Sequence, residues 1–347
     1  MNRHAVLRCA LVALSALAAA PFAAAQSFAE LATNDRPGRH QRLVEAAKKE
    51  GVLNFYTSIP DKDMALLSAD FEKRYGIRIN VWRASAAKVL QRVVAEKKAG
   101  RWDFDVAHIS SPDLQAMYTE GALQEVNSAL QKEMIDDTMP PHRGWAPQFM
   151  VAFVQAYNTN AIKKEDLPKS YADLLDPKWK GKLGVEGGDS DWYCGQVKAL
   201  GEEKGAKLFQ DIVTRNKWSI RTGHSLLNNM VVSGEVPLGL TSYNYMVEQA
   251  KAKGAPIDWF ALNPVMGRSN GIAVSRNPPH PNAALLFYEY MLNDAQPIML
   301  KMNYLSPVKK YASTIPGVKI QYVDPLTDRA EMERCDKAFN DLNKLVN

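Results

Sequence analysis

Small hydroxyl side chains recur where short apolar runs give way to helical spacing: Thr57 and Ser58, Ser85, Ser110 and Ser111, and Ser190 beside Asp191. A hydroxyl next to the unpaired N–H groups that open a helix suits a phosphate, phosphonate, sulfonate or carboxylate. His224 and Ser225 head another helical stretch behind Arg221, and the rings of Trp192, Tyr193, Tyr243 and Tyr245 stand at similar edges. Those rings suit an apolar or cationic portion of a ligand. The chemistry this set supports is the holding of a small organic anion or zwitterion. Each residue also has an ordinary reading. Ser85, Ser111 and Ser190 fit plain helix caps, and Asp191 fits the positive end of a helix as well as it fits an ammonium. Arg83, Arg221 and Arg268 are expected in solvent, where a lone arginine usually sits.

Catalysis finds little support. Ser225 adjoins His224 on one helix, where neighbours do not face each other. No GxSxG is present, and Gly187-Gly188-Asp189-Ser190 lacks the flanks of a phosphate-binding loop. A hydrolase is the alternative from a different class, and an assay for turnover separates it from a carrier. No CxxC, HExxH or clustered His/Cys spacing points to structural zinc, and no cofactor is expected.

Residues 1–25 carry Arg3, His4 and Arg8, an apolar run over 10–20, and Ala23-Ala24-Ala25 before Gln26. That pattern reads as a secretory leader cleaved near Ala25, with an apolar run too short to span a bilayer. Removing Arg3 and Arg8 with it lowers the formal charge from +5 to +3, too little for nucleic acid. Cys194 and Cys335 remain in a compartment that permits disulfides, and whether they pair stays open. The remaining chain, about 320 residues, exceeds what one core serves, so two lobes are expected.

The elements that must carry these residues alternate. Strands over 52–56, 77–82 and 104–108 are separated by helices over 61–75 and 85–98, with a helix over 40–50 before them and another from Ser111. Strand and helix in turn imply a mainly parallel sheet whose strand-end loops form the ligand edge. Beyond the Pro- and Trp-containing stretch 139–147, a strand over 151–157 opens a second series. It has strands at 183–185, 236–240 and 257–262, and helices at 191–200, 208–215, 226–232 and 243–253. A strand over 271–275 returns to the first lobe, and amphipathic helices occupy 281–292 and 328–346. The expected division is 26–150 and 269–347 for one lobe and 151–268 for the other.

Several runs resemble periplasmic solute-binding proteins of ABC importers, the extracellular family that includes carriers of ferric iron, phosphonates, polyamines and thiamine. They are Gly51-Val52-Leu53-Asn54-Phe55-Tyr56 with Thr57-Ser58, Phe71 to Ile77, Trp102-Asp103-Phe104-Asp105-Val106, Ala156 to Asn160, Asp176-Pro177-Lys178-Trp179-Lys180-Gly181, and Ser233 to Gly239. The resemblance implies an α/β venus-flytrap fold, two lobes joined by crossing hinge strands that close on a small-molecule ligand. It also implies a periplasmic monomer that delivers to an inner-membrane permease and its ATPase. Family members use the equivalents of Ser190 and His224 to hold an anion. Ferric members hold iron on two adjacent tyrosines, helped by a first-lobe His or Glu. In Thr241-Ser242-Tyr243-Asn244-Tyr245 the first tyrosine becomes Asn244 and only Tyr245 keeps its place, while the first-lobe positions fall near Pro60 and Ser110. Ferric iron wants several anionic oxygens. The organic anion is therefore the leading expectation, and a ferric carrier using Tyr245, with Tyr243 as a substitute partner, is the alternative.

Overall fold

The computed structural model describes residues 27–346 apart from 35, 36, 136, 137, 313, 325 and 328. The leader expected over residues 1–25 lies outside the described residues. After α1 (Phe28–Thr33) and α2 (Arg39–Glu50), the chain alternates through β1 (Val52–Thr57), α3 (Asp61–Tyr75), β2 (Arg78–Arg83), α4 (Ala86–Lys98), β3 (Val106–Ser110) and α5 (Ser111–Thr119). Gly51 ends α2 in the left-handed conformation, where a side chain would strain, and so delivers the chain straight into β1. β1 pairs in parallel with β2 on one side and β3 on the other.

A two-residue β4 (Leu123–Gln124) precedes β5 (Ala146–Asn158), thirteen residues buried throughout. The second series comprises β6 (Leu183–Glu186), α6 (Ser190–Leu200), α7 (Glu202–Asn216), β7 (Trp218–Arg221), α8 (His224–Ser233), β8 (Leu238–Tyr243), α9 (Asn244–Lys251) and β9 (Ile257–Phe260). β6 pairs in parallel with β7 and β8. The return runs along β10 (Val265–Ser275), then α10 (Pro281–Leu292), α11 (Gln296–Lys301), β11 (Ile320–Tyr322) and α12 (Arg329–Lys344).

The strand order β2-β1-β3-β10-β5-β8-β6-β7 shows how the halves join. β10 lies antiparallel to β3 and to the first half of β5, and the second half of β5 pairs with β8 and β9. The strand-end loops of the two parallel groups therefore face each other across β5 and β10. Each group has its own aromatic core: Phe55, Phe71, Phe287 and Tyr290 in the first, and Tyr171, Trp192, Phe209 and Trp218 in the second. Burial of rings of this size supplies much of the driving force for packing.

β5 begins at Ala146, earlier than the apolar run over 151–157 predicts, and includes Pro147. Pro147 stands opposite Gly271, where the register shifts, and a residue without an N–H is tolerated at such an irregularity. A Cβ at Gly271 would come within 2.7 Å of the Ala146 carbonyl oxygen, so the strands approach closely there. β10 likewise starts six residues before the expected strand over 271–275. β7 was not foreseen because it is only four residues long, too short for a periodic pattern between α7 and the next turn. Cys194 and Cys335 are bonded, with Cα atoms 5.8 Å apart, which fastens α12 to α6. No described helix is long and apolar enough to cross a membrane.

Candidate ligand cleft

Between the facing loops lies a cleft of about 450 Å³. The β1–α3, β2–α4 and β3–α5 junctions line one side, the β6–α6, β7–α8 and β8–α9 junctions line the other, and β10 crosses between them. The Arg83 guanidinium reaches from the first side and donates to the Ser225 hydroxyl of the second at 2.9 Å.

The second side is charged. Arg268 on β10 is only 7 % exposed and grips both oxygens of Asp191, at 2.9 and 3.0 Å. Its other amino group donates to the Tyr243 hydroxyl and stands 3.3 Å from Asp189. Burial pulls the guanidinium toward neutrality, but Asp191, Tyr243 and Asp189 outweigh it and hold the charge more firmly than in water. Asp189 is fully buried, and neither of its oxygens has a well-aligned hydrogen bond. His224 stacks on Tyr243 with ring centroids 3.7 Å apart and brings Nε2 to 3.2 Å from Asp189. Its Nδ1 faces the Thr241 carbonyl oxygen at 3.1 Å, which assigns a proton to Nδ1, and its Nε2 also stands 3.3 Å from the Arg268 amino group. Glu186 accepts the N–H groups of Gly188 and Gly223, at 2.6 and 2.7 Å, and so ties two loops together. Burial, then neighbouring Asp189, pushes its carboxyl upward. One ligand atom each from Glu186, Asp189 and His224 lie within 4.8 Å of one another.

Residues 67–321 match the family described as bacterial extracellular solute-binding proteins. The chain belongs to that family. Its relatives include "Iron uptake protein A1" of Synechocystis, 24% identical over 294 residues that cover 79% of this chain and 78% of that protein. Among solved structures, iron-bound HitA from Pseudomonas aeruginosa matches with a TM-score of 0.69 and 21% identity, over 85% of this chain and 99% of that one. AfuA from Actinobacillus pleuropneumoniae, with fructose-6-phosphate bound, matches with a TM-score of 0.76 and 18% identity, again over 85% and 99%. These structures establish the two-lobed α/β fold. The chain is thus a solute-binding protein of the periplasmic ABC-importer type and not an enzyme.

Within this solute-binding protein, seven of the expected residues meet at the cleft: Ser58, Ser85, Ser110, His224, Ser225, Tyr243 and Tyr245. Ser85 precedes α4 without capping it, and its hydroxyl is buried with no hydrogen-bond partner. Ser110 donates to Asp113, whose carboxyl is pushed up to about 6 by burial, with the Ser110 bond opposing. Tyr245 stacks on Tyr304 with centroids 3.9 Å apart, and Tyr304 donates to Asp63 at 2.7 Å. Burial raises the Tyr243 and Tyr245 hydroxyls, so both rest as phenols.

The other expected residues sit elsewhere. Thr57 is buried and accepts from the Ile59 N–H, shaping its loop, and Ser111 is buried at the first turn of α5. Trp192 is a core ring against Tyr171 and Phe209. Ser190 donates to Asp336 of α12 at 2.5 Å, and Asp191 stands behind the lining, engaged by Arg268. Sequence reasoning missed Glu186, Asp189, Asp113 and Tyr304, and it expected Arg268 in solvent. The pair of carboxylates in Asp189-Ser190-Asp191 was the available signal, because two buried acids need a cation nearby. Arg221 is half-buried and faces Glu235 at 3.6 Å.

Proposed function

We propose that this protein captures ferric iron together with a small oxyanion, in the periplasm, and delivers it to an inner-membrane permease driven by an ATPase. The observation that carries this is Asp189: a fully buried carboxylate just behind the cleft lining, lacking well-aligned hydrogen bonds, with Glu186 and the His224 ring nitrogen of the lining beside it. Hard oxygens beside an imidazole form a donor set that suits a ferric ion, and the Tyr243 phenol ring stacks on that imidazole. Counting Tyr245 with Pro60 and Ser110 in the first-lobe positions understated the acidic oxygens of this cleft, whose lining holds Glu186 and Asp113. The names of the iron-binding relatives point the same way, toward the reading that sequence alone ranked second. Arg268 would compete with a cation for Asp189, and Arg268 with Arg83 would supply the positive charge for the accompanying anion.

Further parts of the proposal are a leader cleaved near Ala25, a monomeric carrier, and lobes formed by 26–150 with 269–347 and by 151–268. A second reading, an organic anion without metal, is favoured by the unpartnered Ser85 hydroxyl and by the likeness to a structure holding fructose-6-phosphate.

Calorimetry and thermal melts with ferric citrate, citrate, inorganic phosphate and fructose 6-phosphate separate the two. Ferric citrate is expected to raise the melting temperature by several degrees through mass action on the native state. A visible tyrosinate band accompanies binding if a phenol joins the shell. A shift with fructose 6-phosphate and none with ferric citrate would overturn the ferric reading and install the second.

A further inference from the structure

We infer that α12 is a wall of the ligand cleft, with Asn340 as a ligand-contacting side chain held in place by the Cys194–Cys335 bridge. This deepens the reading of the cleft as a solute site and rests on it. The helix is divided by residue spacing. Cys335, Phe339 and Leu342 recur at helical intervals and are buried, with Phe339 lying near the rings of Tyr193 and Trp218. The adjacent row, Asp336, Asn340 and Asn343, is turned one position toward the cleft. Asp336 accepts from Ser190 at the head of α6, and Asn343 accepts the Trp218 indole N–H at 2.9 Å. Asn340 and Asn343 both line the cleft. Asn343 is therefore occupied by Trp218, whereas the exposed Asn340 carboxamide has no hydrogen-bond partner among the described residues. It presents one acceptor and two donor hydrogens to whatever fills the space.

The bridge gives this wall its position. Cys194 lies on α6 one turn after Ser190, and the same first turn holds Asp191, the two-oxygen partner of Arg268. One covalent bond thus fixes both the helix that carries Asn340 and the helix whose head aims Arg268. No such connection follows from α12 serving only as a cover for α7.

Opposite charges at position 340 test the contact. Asn340→Lys and Asn340→Asp are made in the full chain, with ferric nitrilotriacetate and fructose 6-phosphate as probes. For whichever probe the wild type binds, the two variants are expected to move Kd in opposite directions by about 3-fold each, the size of a unit charge acting through a few ångströms of wet cleft. Unchanged melting temperatures without probe show that neither variant disturbs the fold. Equal Kd values in both variants overturn the contact while leaving the ferric reading intact, and a wild type that binds neither probe defeats both.

The bridge is tested without ligand by hydrogen exchange on the Cys194→Ser/Cys335→Ser double variant. Faster exchange is expected in α12 and in the first turn of α6 together. Protection of α12 unchanged from the wild type would remove the bridge from the proposal.

Discussion

The two sides of the cleft are built from the same βα junctions and differ in what those junctions hold. On the first side Ser58, Ser85 and Ser110 present hydroxyls, and the one basic group, Arg83, is exposed at the rim. On the second, Glu186, Asp189, Asp191, Arg268 and His224 form a buried network whose members fix one another. The contrast teaches a division of labour. A network of opposed charges in a dry setting is rigid and decides what charge is accepted, whereas single hydroxyls with few fixed partners adapt to the shape of what they meet.

The sharpest way to break that contrast is Arg268→Ala against Arg83→Ala. Loss of Arg268 leaves Asp191 and Asp189 buried without their cation and is expected to cost about 3–5 kcal/mol of stability. Loss of the exposed Arg83 is expected to cost less than about 1 kcal/mol. Urea unfolding of both measures the difference, and equal midpoints would remove the distinction. Next in size is Asp189→Asn, expected to weaken ferric binding by about 100-fold, at the upper end of what disturbed metal shells show. Calorimetry reads it, and an unaffected Kd would relocate the metal.

A smaller effect concerns the one acid on the hydroxyl side. Asp113 is held at about 6, above the ordinary carboxylate range, because burial disfavours its charge. A raised carboxyl is protonated as pH falls through 6, so between pH 7 and 5 the cleft takes up a proton. Anion probes are expected to bind more tightly at pH 5, cations less tightly, and the fold gains stability in the same direction. Asp113→Asn is expected to flatten the pH 5–7 step in binding. The smallest effect is that of Ser85→Ala, which removes one uncommitted hydroxyl. It is expected to weaken binding of fructose 6-phosphate by about 1 kcal/mol, the worth of a single hydrogen bond, with no change in melting temperature because no cap is lost.

What sequence revealed and what it hid follow from distance along the chain. Gly51, Pro60 and Gly76 punctuate the first lobe, and local punctuation was enough to place Ser58, Ser85 and Ser110 at strand ends and hence at the cleft. Trp192 was misread because helix position alone does not say which face a ring takes, and with Gln196 one turn on it faces the core. Arg268 was hidden for a different reason: its partner Asp191 lies 77 residues earlier, and nothing local marks an arginine within a strand as buried. The bridge between Cys194 and Cys335 spans 141 residues and was equally beyond local rules. The charged half of the site is thus made by tertiary encounters, and the hydroxyl half by turns.

The antiparallel pairing of β5 with β10 sets how the halves can move. Two separate tethers would let one half tilt, slide or swivel, but a hydrogen-bonded ribbon resists splaying and shear and yields most easily to torsion along its length. Opening then has a single soft direction, and a solute at the rim meets the same two edges at each encounter.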